Sequence, residues 1–159
     1  KTFQDGTAMI HEFRKGKYLI STDKRKLQVK IIHNFLTNAY WSKGIKLELV
    51  KKAIHGSLCL GVYHEKNQIG FARVVTDFAS FGYLADVFII EDYRGKGLSV
   101  RLMKFILNLP ELRELKSWML ATRDAHGLYS KFGFEQLKEP QKFMRRQNPK
   151  YKPNVQVIL

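Results

Sequence analysis

The chain has 159 residues, 45% of them hydrophobic and 13% aromatic, which excludes a disordered polypeptide and supplies enough apolar surface for one globular domain. Its 28 Lys and Arg against 14 Asp and Glu leave a net charge of +14, a surface suited to anionic ligands such as nucleotide phosphates, acidic peptides or nucleic acid. The single cysteine, Cys59, excludes an intrachain disulfide, and no apolar run approaches the roughly eighteen residues of a membrane span.

These features predict a soluble chain in a reducing, cytoplasmic setting, with no membrane partner and Cys59 in the core. The start at Lys1 shows neither a signal-peptide pattern nor an initiator Met, so a chain lacking its first residue is expected. One domain is predicted over residues 1–146, followed by a basic tail over 147–159.

Residues 17–20 read as a short strand. Ser21-Thr22-Asp23 then offers caps for a helix whose Leu27, Ile31, Ile32, Phe35, Leu36, Ala39 and Tyr40 fall on one face. Leu47, Val50 and Ile54 mark a second helix, stopped by Gly56. Alternation over 57–63 and an apolar run over 69–76, separated by a polar turn, predict an antiparallel hairpin. A third strand over 83–90 leads into a glycine loop, and Leu98, Leu102, Phe105, Ile106 and Leu109 define a helix halted by Pro110. A strand over 118–122, a short helix over 125–132 ended by Gly133, and a last strand over 134–137, with 143–145 as its partner, complete the domain. Residues 155–159 alternate like one more strand. The order makes a mixed α/β layer fold without internal repeats.

The glycine loop, Tyr93-Arg94-Gly95-Lys96-Gly97-Leu98-Ser99-Val100, joins a strand end to a helix start. Its glycines let backbone N–H groups turn inward, and the helix aims its positive end at the same point, so the loop suits a phosphate. No Walker A pattern is present. A dinucleotide fingerprint fails as well, because the third glycine is missing and hairpin-connected strands precede the loop.

Arg94-Gly95-Lys96-Gly97-Leu98-Ser99 resembles the acetyl-CoA signature of the GNAT superfamily of N-acetyltransferases: Gln or Arg, two residues, Gly, one residue, then Gly or Ala. Ser99 departs at the last position, one small residue for another. Leu128-Tyr129-Ser130-Lys131-Phe132-Gly133-Phe134 is similar to the family's later element, which carries a Tyr before a Gly-Phe pair. Thr122 stands where the family often has Asn. The resemblance implies the family's fold, a central and mostly antiparallel mixed sheet flanked by helices. It also implies acetyl-CoA as co-substrate, with the pantetheine arm along the backbone of Val87, Phe88 and Ile89. The pyrophosphate would lie on the N–H groups of Gly95, Lys96, Gly97, Leu98, Ser99 and Val100, reinforced by Arg94.

Acetyl transfer to an amine needs an activated thioester, a deprotonated nucleophile and a proton for the leaving thiolate. Tyr129 is the predicted general acid, since a phenol near 10 and a thiol near 8.5 are close enough for transfer; the resemblance gives it the same role. Asp86 interrupts an apolar strand, where a carboxylate is costly unless it is bonded or functional, and is the predicted base, with a role capping a bulge as the alternative. Asp124, His126, Glu91 and water stay open as bases. Tyr40, Trp41 and Phe71 are candidate walls for the acceptor.

The expected activity is transfer of acetyl from acetyl-CoA to a primary amine of a small molecule or peptide, by a monomer or homodimer. Two other classes compete. One is a CoA-binding sensor without turnover. The other is a nucleic-acid or ribosome partner for the tail cations Lys138, Lys142, Arg145, Arg146, Lys150 and Lys152, for which no helix-turn-helix or zinc-finger spacing exists. The five scattered histidines predict no metal site.

Overall fold

Among the described residues there are six strands, β1 Glu12–Lys15, β2 Tyr18–Ser21, β3 Leu58–His64, β4 Asn67–Thr76, β5 Phe81–Ile89 and β6 Ser117–Leu120, which pair in chain order in one sheet. Neighbours from β1 to β5 are antiparallel, and β5 and β6 run parallel. Four helices accompany them: α1 Val29–Asn38, α2 Leu47–His55, α3 Leu98–Leu107 and α4 His126–Tyr129. This computed structural model describes residues 9–148; the alternating segment 155–159 and most of the predicted tail lie outside the described residues.

Alternate residues of the strands feed two cores, one on each face of the sheet. Leu60, Val62, Ile69, Ala72 and Leu84 pack with Leu98, Leu102, Met103 and Ile106 of α3. Cys59, Phe71 and Phe88 pack with Ile32 and Leu36 of α1 and Val50 and Ile54 of α2. The result is a mixed α/β fold with helices on both faces, as the sequence predicts.

The β4–β5 crossing is tight at Gly70. A Cβ there would lie 2.6 Å from the Ile89 Cδ1 and 2.8 Å from the Phe88 carbonyl oxygen. Gly70→Ala is therefore expected to destabilise the fold by about 1–3 kcal/mol through overpacking, read as a lower Tm in thermal denaturation. An unchanged Tm would mean that the two strands can spread.

Three predicted boundaries are corrected. Asp23 accepts a bond from the Arg25 N–H and caps a 3₁₀ turn, Lys24–Lys26, so α1 begins only at Val29. The hairpin of β1 and β2 was not expected, because all four residues of β1 are exposed and carry no buried alternation. No strand forms over 134–137. The Phe134 N–H bonds the Tyr129 carbonyl at 3.3 Å and its ring meets the Tyr129 ring edge-on at 6.0 Å, while residues 135–137 are exposed. Residues 143–145, its predicted partner, are likewise irregular.

Candidate active site

β5 is ten-residue β4's neighbour along most of its length, but it is not straight. The register with β4 shifts between Phe71 and Arg73, and Asp86 lies in the resulting bulge with φ of +53°, a left-handed conformation unusual for a non-glycine residue. On its other side β5 pairs with β6 only from Phe81 to Leu84, opposite Ser117 to Leu120. Among the described residues no strand flanks β5 on that side from Ala85 onward. The sheet therefore opens into a cleft beside Asp86, Val87, Phe88 and Ile89, where no described strand takes the backbone groups on that side of β5.

Two cavities follow that cleft. The larger, of about 410 Å³, is bounded by Arg73, Asp86 and Val87 from the sheet, by Tyr40 and Trp41 after α1, and by Tyr129 of α4. The smaller, of about 140 Å³, is bounded by Ile89, Arg94, Gly95, Gly97, Ser99 and Val100.

The smaller cavity is the glycine loop. Gly95 and Gly97 have φ of +73° and +71°, and a Cβ on either would meet no neighbour within 4 Å. The glycines are needed there for backbone conformation and not for space. Gly97 is the N-cap of α3 and brings no side chain to its amides, so the helix presents its first turn to an incoming anion. The Arg94 Nε donates to the Ile89 carbonyl at 3.0 Å, tying the loop to the end of β5. The Lys96 ammonium turns back onto the Asp92 carbonyl at 3.2 Å and lies 4.9 Å over the Tyr93 ring. Of the two predicted cations, Arg94 lines the cavity and Lys96 is directed to the loop's outer side.

Gly97→Ala should carry the left-handed penalty of about 1–2 kcal/mol. Where the loop relaxes to escape it, a phosphate ligand would lose its amides, and affinity for CoA, the ligand the resemblance implies, is expected to fall on the order of tenfold. Calorimetric titration checks this; an unchanged Kd would show that the loop does not bind the ligand.

The side chains around the larger cavity form a connected set. The Asp86 Oδ2 pairs with the Arg73 Nε at 2.5 Å, and its Oδ1 accepts from the Trp41 Nε1 at 3.1 Å. An Arg73 terminal nitrogen (Nη1) donates to the Ser57 Oγ at 3.2 Å. Asp86 and Arg73 are 12% and 20% exposed, so this ion pair is largely withdrawn from water. Tyr40 bridges the other lip: its hydroxyl accepts from the Arg123 N–H at 3.1 Å, and the Arg123 guanidinium lies 3.9 Å over its ring.

Tyr129 is buried in the short helix after β6, anchored where the Thr122 Oγ1 accepts from the Ala125 N–H at 3.0 Å. Burial, helped by nearby Tyr40 and Asp124, pushes its phenol above the ordinary value, so it stays protonated at neutral pH. Tyr129, Asp86 and Val87 thus meet at one cavity, and the Phe88 side chain instead stacks on Phe35 at 3.8 Å in the core.

Asp124 reaches the same cavity, and so do Tyr40, Trp41 and Phe71; His126 and Glu91 are exposed and do not line it. Asp86 sits in a bulge and also lines the cavity. Arg73 and Ser57 were not singled out from sequence. The signal for Arg73 was a lone cation in the apolar run 69–76, which pairs with the lone carboxylate of the next strand.

A mixed sheet opened beside a bulged strand, with a glycine-capped helix at the mouth and a buried tyrosine across the gap, agrees with the acyltransferase fold that the sequence resemblance implies. Comparison with known proteins agrees. The sequence model of the "Acetyltransferase (GNAT) domain" matches residues 55–136. A candidate acetyltransferase of Gibberella zeae is 32% identical over 139 residues, covering 74% of this chain and 78% of its own. The crystal structure of a candidate GNAT-family acetyltransferase from Xanthomonas campestris pv. campestris is 40% identical with a TM-score of 0.80, covering 94% of this chain and 98% of that one. A Clostridium acetobutylicum protein described as a predicted acetyltransferase with acetyl-CoA shares the fold at 14% identity and a TM-score of 0.60, over 87% of this chain and 96% of its own. The chain belongs to the GNAT acetyltransferase family, and it is an acyltransferase. Among the described residues no helix is long and apolar enough to cross a membrane.

Proposed function

We propose that this enzyme transfers acetyl from acetyl-CoA to a primary amine of a small molecule or peptide by direct attack. The observation that carries the reading is the placement of Tyr129 and Asp86 on one cavity, at the point where β5 loses its neighbour and runs toward the glycine loop. Acetyl-CoA supplies the activated thioester. Gly95 to Val100 hold its pyrophosphate, and the backbone of Val87, Phe88 and Ile89 aligns the pantetheine arm.

Asp86 orients the acceptor ammonium and takes the proton it must lose. The free amine attacks the thioester carbonyl carbon, whose oxygen is stabilised by N–H groups of the opened strand. Collapse breaks the C–S bond, and the thiolate takes the Tyr129 proton. The nitrogen, still carrying the second proton of the ammonium, sheds it to water, and water returns the Asp86 proton to the phenolate, so the products are the amide, the CoA thiol and one proton released to solvent. Burial raises Tyr129, so its phenol holds its proton until the thiolate forms.

The test is calorimetric titration with acetyl-CoA, followed by thiol release across an amine panel. Saturable binding and amine-dependent thiol release are expected. Binding without turnover on any amine would instead identify a sensor.

A further inference from the structure

The charges on the larger cavity point to its acceptor. Of the described residues that line it, only Arg73, Asp86 and Asp124 are charged, on a chain whose net charge is +14. A polyamine or aminoglycoside needs several carboxylates, and a nucleotide needs several cations; the lining has neither. The inner wall is apolar, made by Leu36, Ile45, Val50, Ala53, Ile54 and Phe71.

Arg73 and Asp86 are also incompletely used. A guanidinium has five N–H donors, and those of Arg73 make two side-chain bonds, to Asp86 and to Ser57. A carboxylate has about four acceptor positions, and Asp86 fills two, with Arg73 and Trp41. A largely buried ion pair is weak as a source of stability, and Asp86 holds its place in a left-handed conformation that costs energy. The fold maintains a strained, unsaturated pair of opposite charges at the wall of an apolar cavity.

Resting on the transferase reading above, we infer that the acceptor is a free α-amino acid with an apolar or aromatic side chain. Its carboxylate takes the remaining Arg73 donors, its ammonium takes Asp86, and its side chain enters the apolar wall between α1 and α2. The α-ammonium yields one proton to Asp86 before attack and its second to water after it, the new bond is N–C, the broken bond is C–S, and the thiolate takes its proton from Tyr129, which Asp86 reprotonates through water, with one proton released to solvent.

The experiment compares matched acceptors on the wild-type enzyme at saturating acetyl-CoA. L-phenylalanine and L-leucine are set against 2-phenylethylamine and isoamylamine, which lack only the carboxylate, and against spermidine and a lysine-containing peptide. The amino acids are expected to exceed their decarboxylated amines in kcat/KM by at least about tenfold. In Arg73→Gln that ratio should collapse toward one, with acetyl-CoA affinity retained. Should Arg73→Gln fail to fold, L-phenylalanine amide on the wild-type enzyme tests the same contact and should behave like the amine. Equal rates for acid and amine, or preference for spermidine or the peptide, overturn the inference while leaving acetyl transfer intact. Absence of acetyl-CoA binding, or of transfer to every amine, removes the transferase reading and this acceptor with it.

Discussion

Replacing Tyr129 by Phe is expected to lower kcat on the order of 100-fold, the lower end of what a positioned general acid contributes, with acetyl-CoA affinity and Tm close to wild type. The phenol is buried on the cavity and held protonated by its surroundings, so the lost proton bears on thiolate departure and on little else. The ring, not the hydroxyl, makes the contact with Phe134, and Phe keeps that ring. Pre-steady-state thiol release gives the direct measure. An unchanged kcat on a true acceptor would transfer the role to water. A comparable loss of acetyl-CoA affinity would make Tyr129 a binding group.

The helices and inner strands were legible because each carries a period that burial enforces. Leu98, Leu102 and Ile106 recur at helical spacing and all three are buried, while Leu58, Leu60 and Val62 share one side of their strand. β1 escaped because it lies at the sheet edge with no buried residue, so selection for alternation is absent there. The reverse error occurred at 134–137. Phe134 looked like the first residue of a strand, yet it serves as a packing stop for Tyr129, and Glu135 and Gln136 supply no second apolar position on its face.

The candidate site was legible where backbone conformation depends on residue type. Gly95 and Gly97 marked a loop whose backbone N–H groups can turn inward, and both have the positive φ that glycine permits. The Arg73–Asp86 pair was half visible. A carboxylate inside an apolar strand demands a partner, but the partner sits thirteen residues away across a shifted register, and Trp41 reaches it from another element altogether. Such contacts depend on tertiary placement, which a linear pattern does not encode.

Asp86→Ala is expected to destabilise the fold by about 3 kcal/mol, since it strands the Arg73 charge with only Ser57 to bond, and removes the Trp41 acceptor. The residual exposure of the pair keeps the loss at the low end for a buried ion pair. The double variant Arg73→Met with Asp86→Asn separates stability from chemistry. Asn tolerates the left-handed backbone and still offers Trp41 an oxygen, while Met fills the place of the arginine stem and leaves no unpaired charge. Urea denaturation should place the double variant well above Asp86→Ala and near wild type. Its acetyl transfer should nevertheless stay low, because neither the group that receives the amine proton nor the guanidinium remains. Recovery of both stability and turnover would reduce the pair to a brace for the bulge. Recovery of stability alone assigns the strained carboxylate to the reaction, and explains why β5 departs from regular geometry at its own charged residue on the cleft.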